Sequence, residues 1–134
     1  MSQDNLELVR RAVDAWNRRD PDLWRSYATP DIEWTPAGPA AVEGTVYSGH
    51  DEVVAGLESV WQTWDQVFFE ESEVRDIDGG ATLWLGRIKL RGASSRVVLE
   101  QEFAVHFVLR GKKLATIRAF LAWQDAFEAV GLAK

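Results

Sequence analysis

The hydrophobic period of this 134-residue chain changes near residue 65, from about 3.6 residues to 2. Upstream, Leu6, Val9, Val13 and Trp16 recur at three- and four-residue spacing with charges opposite, which predicts an amphipathic helix over 4–19. Asp20-Pro21 ends it and begins another, because Asp20 suits an N-cap, Pro21 suits the first helical position, and Leu23, Trp24 and Tyr27 then turn inward. Ile32-Glu33-Trp34-Thr35 alternates as a short strand, and 36–44 is a Pro-, Gly- and Ala-rich loop. Ser48-Gly49-His50-Asp51 reads as a capping box opening a third helix, with Val53, Leu57, Trp61 and Trp64 on one face. Downstream, 67–77, 81–91, 96–110 and 113–123 read as strands, separated by Asp78-Gly79-Gly80, Gly92-Ala93-Ser94-Ser95 and Gly111-Lys112. A last short helix covers 124–130. This order predicts one α+β domain, residues 1–134, with a curved antiparallel sheet wrapped around three N-terminal helices.

Turn lengths then sort side chains into two faces. A two-residue loop at Gly111-Lys112 sets Arg110 opposite Lys113, which puts Phe103, Val105 and Phe107 on one face with Leu114, Thr116, Arg118, Phe120 and Ala122. Setting Leu90 opposite Val97 adds Trp84 and Ile88 to that face, the expected interior. The other face carries His106, Ile117, Leu121 and Trp123, with Arg87 opposite Glu100, and reads as a subunit interface. Arg118 is the cation on an otherwise apolar interior, so it needs an anion, a carbonyl array or an aromatic plane.

Composition narrows the function. The net charge is −6, and the first 67 residues hold 12 of the 21 acidic groups, which argues against a nucleic-acid partner. Without Cys there is no disulfide framework or thiolate chemistry, two His leave little for a metal, and no apolar run reaches membrane-spanning length. These readings predict a cytoplasmic protein without metal or cofactor. Seven Trp are several times the ordinary allotment, and each is a large apolar body with one N–H. Trp16, Trp34, Trp61, Trp64 and Trp84 are assigned to one cavity wall, Trp123 to the outer face, and Trp24 to neither.

The chemistry-bearing candidates each have two readings. Arg118 polarises a ligand carbonyl or holds a carboxylate, or else it is a structural partner for a helix carboxylate or for loop carbonyls. Tyr27, Thr35 and Thr116 donate to a ligand oxygen or satisfy their own backbone surroundings. His106 is a general base or an interface residue, and His50 a site residue or part of a helix start. In Glu70-Glu71-Ser72-Glu73 the register is open: either Glu71 and Glu73, or Glu70, face inward. A carboxylate buried there becomes a usable base, whereas a solvated one protects an edge strand.

Ala15-Trp16-Asn17-Arg18-Arg19-Asp20, Pro30-Asp31-Ile32-Glu33-Trp34, Val46-Tyr47-Ser48-Gly49-His50-Asp51, Ile117-Arg118-Ala119-Phe120-Leu121 and Ala129-Val130-Gly131-Leu132 occur in that order. Together they resemble the SnoaL-like polyketide cyclase branch of the nuclear transport factor two-like, or ketosteroid isomerase-like, superfamily. The resemblance covers essentially the whole chain. It implies a conical α+β barrel, a deep apolar pocket between helices and sheet, and a homodimer through the outer sheet face, at His106, Ile117, Leu121 and Trp123. It also exposes departures. Related cyclases use an Asp where this chain has Ala122, and relatives often carry Tyr where it has Phe120. Ketosteroid isomerases place a base where Thr35 stands, and relatives often show a His at the position of Val105. Of the epoxide hydrolase set only Arg118 is present.

The expectation is a pocket for a small apolar, aromatic or polycyclic molecule. Its binding set is Trp16, Tyr27, Trp34, Trp61, Trp64, Trp84, Phe103, Val105, Phe107, Arg118, Phe120 and Ala122. Any proton transfer, of cyclase, isomerase, hydrolase or dehydratase type, falls to Arg118, Tyr27, Glu71 or Glu73. The alternative is a non-catalytic structural or partner-binding dimer whose pocket its own side chains fill.

Overall fold

The computed structural model describes residues 2–37, 46–77, 80–92, 94 and 96–131. Two helices, α1 (Ser2–Asn17) and α2 (Pro21–Arg25), precede strand β1 (Ala28–Thr35), the two-residue strand β2 (Tyr47–Ser48) and helix α3 (Gly49–Thr63). Four strands follow: β3 (Trp64–Ile77), β4 (Ala81–Gly92), β5 (Leu99–Arg110) and β6 (Lys113–Phe120). Helix α4 (Trp123–Ala129) comes last. They build one curved six-stranded sheet in the order β2-β1-β6-β5-β4-β3. The β3–β6 meander is antiparallel, but β1 joins β6 in parallel, so the expected all-antiparallel sheet is mixed. Most of the predicted 36–44 loop, at 38–44, and parts of the two Gly-rich turns lie outside the described residues.

The helix starts have local causes. Asp20 accepts a 3.1 Å bond from the Leu23 N–H, and Pro21 occupies the first turn, where its missing N–H costs nothing. At α3 the start is where the sequence predicts it, with a different partner: Glu52 accepts from the Ser48 N–H at 2.9 Å, while Asp51 pairs with Arg25 at 3.1 Å. Tyr27 falls just past α2, half-buried, its carbonyl accepting from the Leu114 N–H at 2.8 Å.

Two registers decide the faces. Between β4 and β5, Leu90 pairs with Leu99 rather than Val97; a shift of two leaves every side chain on its expected face, with Trp84 opposite Val105 and Gly86 opposite Phe103. Between β5 and β6, Arg110 does pair with Lys113, but the ladder then runs Leu109–Leu114 and Val108–Thr116. Ala115 is the extra residue of a bulge. Beyond it Phe107 pairs with Ile117, His106 with Arg118, and Val105 with Ala119, so the two faces exchange along 116–120. Arg118 and Phe120 stand on the outer face, and Ile117 is fully buried in the core. One inserted residue overturns the five face assignments from Thr116 to Phe120.

The inner face packs under α1 and α3. Val9, Trp16, Val53 and Leu57 of the helices meet Trp84, Val105, Phe107 and Ile117 of the strands. Trp24, unassigned from sequence, is fully buried and stacks on Trp16 with centroids 6.4 Å apart. The outer face is partly covered by the chain itself: α4 lays Ala126, with Trp123 and Phe127, over Leu83, Leu85, Ala104 and Phe120. Trp123 Nε1 donates to the carbonyls of Gly86 (3.0 Å) and Phe103 (3.2 Å), and its backbone N–H donates to Glu102 (2.9 Å). Trp123 is therefore on the outer face as expected, but engaged within its own chain.

Candidate functional site

A narrow cleft of about 30 Å³, partly open to solvent, lies between the helices and the inner sheet face. Trp16 of α1 and Leu57, Val60 and Trp61 of α3 form its roof, and Trp34 and Ala37 form one side. Its floor is Val67 and Phe69 of β3, Ile88 of β4, Phe103 and Val105 of β5, and Ile117 and Ala119 of β6. Ala37, Val60, Trp61 and Phe69 are half-buried and mark the open side. The rings interlock: Phe69 lies 5.5 Å from Trp16 and 5.4 Å from Phe103, and Trp34 stacks on Tyr47 at 5.0 Å.

A short stretch at the end of α1 positions several of these walls. Asn17 donates to the Phe69 carbonyl at 3.0 Å and accepts from the Phe69 N–H at 2.9 Å. Because β3 is an edge of the sheet, this side-chain amide completes the backbone pairing of Phe69 where no further strand does. Arg19 reaches across to the carbonyls of Trp61, Trp64 and Asp65, at 3.4, 3.3 and 3.0 Å, tying down the end of α3 that carries Trp61. Asp20 caps α2, whose Trp24 backs Trp16. Trp16, Asn17, Arg19 and Asp20 thus form the joint that shapes the cleft.

Of the residues expected to bind, the structure brings Trp16, Trp34, Trp61, Phe103 and Val105 to the wall. Trp84 and Phe107 are buried in the core without lining the cleft, and Trp64 packs half-buried against that core. Tyr27 is likewise packed against the core, and Ala122 is the N-cap of α4. Arg118 is exposed on the outer face, its guanidinium 4.9 Å from the Phe120 ring. Glu71 and Glu73 are exposed, one paired with Arg10 at 3.0 Å and the other with Arg75 at 2.6 Å; Glu70 lies 3.5 Å from Lys89. The edge-strand reading of this acidic run is the one the geometry follows.

Neither His lines the cleft. His50 Nε2 sits 3.0 Å from the Ala28 carbonyl and fastens the start of α3 to β1. His106, half-buried opposite Arg118, has its pKa held below the ordinary imidazole value, first by burial and then by the Arg118 charge. The wall residues that sequence reasoning left out are Ala37, Leu57, Val60, Val67, Phe69, Ile88, Ile117 and Ala119. The inward period of α3 and the interior face of β4 already held signals for Leu57 and Ile88. Ile117 and Ala119 were hidden by the bulge.

Among the described residues, no three His, Asp or Glu are grouped to hold a metal ion. No helix in the described residues is long and apolar enough to cross a membrane. Among the described residues, the side-chain polar atoms of the wall are the indole N–H groups of Trp16, Trp34 and Trp61, which donate and cannot accept. As it stands, the arrangement can enclose apolar matter; among the described residues its side chains supply no proton-transfer group.

The backbone is similar to that of many solved proteins. One is an NTF2-like protein of unknown function from Burkholderia pseudomallei K96243, 22% identical, with a TM-score of 0.77 over 95% of this chain and 97% of that one. Another is a putative polyketide cyclase from Xanthomonas campestris pv. campestris, 14% identical, TM-score 0.78, over 96% and 98%. A third is TerC co-crystallised with polyporic acid, 18% identical, TM-score 0.77, over 96% and 98%. At these identities the likeness shows the shared fold. No curated protein matches the chain. The profile of the SnoaL-like domain matches residues 9–127, and with the cleft lying between the helices and strands of that same span, the chain belongs to the SnoaL-like domain family.

Proposed function

We propose that this protein binds a small, flat, apolar molecule in the cleft between helices and sheet, whose described wall residues bring no acid–base side chain to it. The observation that carries this reading is the wall itself: aromatic and aliphatic throughout, with every sequence candidate for proton transfer outside it. The co-crystallisation of TerC with polyporic acid supports the scaffold's suitability for a small-molecule guest. Admission requires motion. A cavity of roughly 150 Å³ is what accommodates benzene, against the 30 Å³ here, so the half-buried side at Trp61 and Ala37 must open for a ring to enter.

That small volume favours a second reading, in which the tryptophans fill their own pocket and the protein serves as a structural or partner-binding homodimer. Its surface would be the outer-face area that α4 leaves open, with His106, Arg118 and Leu121. Ile117 is buried, and Trp123 is bound within its own chain. Titration with benzene and naphthalene separates the two readings. Binding predicts saturable quenching of tryptophan emission, unchanged by Arg118→Ala or Glu71→Gln. Absence of saturable quenching by either hydrocarbon, with the fold intact by circular dichroism, overturns the binding reading. A dimer in sedimentation equilibrium would then support the second.

A further inference from the structure

The charges on the outer sheet face are met within the chain on one side and not on the other. Across β3, β4 and β5, Arg75 pairs with Glu73 at 2.6 Å, Arg87 with Glu100 at 2.9 Å and Lys89 with Glu70 at 3.5 Å, while Glu102 accepts the Trp123 N–H. Across β6 and β1, Arg118 and Glu33 are both exposed, and among the described residues neither has an oppositely charged partner. Register keeps them apart. β1 and β6 run parallel, with Glu33 beside Thr116 and Thr35 beside Arg118. The alternating Ile32, Trp34, Ile117 and Ala119 are buried, so the other four residues form an outward square with Glu33 and Arg118 at opposite corners. The Arg118 guanidinium lies over the Phe120 ring, farther along β6 from Glu33. Thr35 and Thr116, short and half-buried, hold the other diagonal.

This square is self-complementary. A twofold axis lying in the face along the threonine diagonal brings each threonine against its own copy, where short side chains let the two faces approach. The same rotation sets Arg118 against Glu33 of the partner subunit and Glu33 against the partner's Arg118. An axis along the charged diagonal sets like charges together instead, which costs affinity. We infer that the β6–β1 part of the outer face takes a second copy of this chain, with two reciprocal Arg118–Glu33 ion pairs on either side of an axis through Thr35 and Thr116. This rests on the dimer reading above and supplies its register. It is compatible with a guest in the cleft, because Trp34, Ile117 and Ala119 line the cleft from the opposite face of the same two strands.

The test is a charge exchange read by sedimentation equilibrium, with circular dichroism to confirm that each variant is folded. Wild type is expected to dimerise. Arg118→Glu and Glu33→Arg are each expected to weaken the dimer at least about tenfold, since each turns two attractive pairs into repulsive ones. Mixing the two variants restores opposite charges at both contacts, so a heterodimer of about wild-type affinity is expected, a result that a role within one chain cannot produce. A wild type that stays monomeric at the highest concentration loaded overturns the inference and the dimer reading together. A wild-type dimer that either reversal leaves unchanged, or that mixing fails to restore, overturns the pairing and leaves the dimer reading standing. Should a reversal lose its fold, Arg118→Gln and Glu33→Gln take its place: each is expected to weaken the dimer about threefold or more, and an unchanged affinity overturns the pairing.

Discussion

Val105→Ile adds one methylene to the floor of the cleft, and the structure sets the size of the effect. Val105 is 1% exposed and lines a space of about 30 Å³. At roughly 24 cal/mol per Å³ of cavity, closing that space recovers about 0.7 kcal/mol. Burying one further methylene is independently worth about 0.8 kcal/mol. The two routes agree, and β-branching suited to a strand is retained. The assay is urea unfolding followed by far-ultraviolet circular dichroism. With a slope of about 1–3 kcal/mol per molar, the midpoint rises by about 0.25–0.7 M at unchanged slope. Ala104→Val is the contrast: Ala104 is fully buried beneath α4 and does not line the cleft, so added volume there costs about 1–3 kcal/mol. Filling the cleft should also abolish the binding of benzene. A loss of more than about 1 kcal/mol in Val105→Ile would refute the reasoning, because it would mean the space beside Val105 is already full.

Asn17→Ala strips the Phe69 N–H and carbonyl of their partners on an edge strand, and should cost about 2–3 kcal/mol in the same assay; a loss below about 1 kcal/mol would show that water replaces the amide without penalty. Gly86→Ala puts a Cβ 2.1 Å from the Glu70 carbonyl, so β3 and β4 must part; a fall of about 3 kcal/mol or more is expected, against near neutrality for Gly92→Ala, whose Cβ meets nothing within 4 Å. His106 has a folded pKa below its unfolded value, so the unfolded chain binds more protons between the two: its contribution is complete above the unfolded value near 6.5 and is lost as pH falls from there through the folded value, and His106→Gln should flatten the slope of stability below about pH 7. Because the chain has no Cys, Arg118→Cys and Ile117→Cys each supply a single thiol: the first should react with a maleimide at nearly the unfolded rate, the second at least about a hundredfold slower, and the reverse order would restore the unbulged register.

The parts of the fold that were legible in the sequence rest on local chemistry. Asp20-Pro21 starts α2 because an acceptor and a ring with no N–H suit those two positions, whatever lies beyond. The helix-to-strand change at Trp64 is read from periodicity alone. The β4–β5 faces were legible although the pairing was off by two residues, since an even error leaves each side chain on its own side. Trp16, Trp34 and Trp61 were legible as wall because their segments were already oriented by those local signals. What Asn17 and Arg19 do was not legible. Their partners are backbone atoms some fifty and forty residues away, and only the assembled fold brings a sheet edge and a helix end within reach.

Arg118 shows how a single residue carries a functional conclusion. Counting alternation from Gly111-Lys112 places it inside, where a lone guanidinium demands an anionic or carbonyl ligand. The bulge at Ala115 moves it outside, next to Phe120 and opposite His106, and that demand disappears. The apolar residues at 117 and 119 take its place, so the interior loses a cation and gains Ile117 and Ala119 in the same step. The alternation of 116–120 is equally amphipathic in either register, apart from Arg118 itself. Burying that arginine unpaired costs several kcal/mol, and a bulge next to a two-residue turn avoids the cost by displacing one alanine. The polarity of the cleft therefore follows from where β6 is bent: with the guanidinium outside, the described wall is aromatic and aliphatic, a lining suited to an apolar guest.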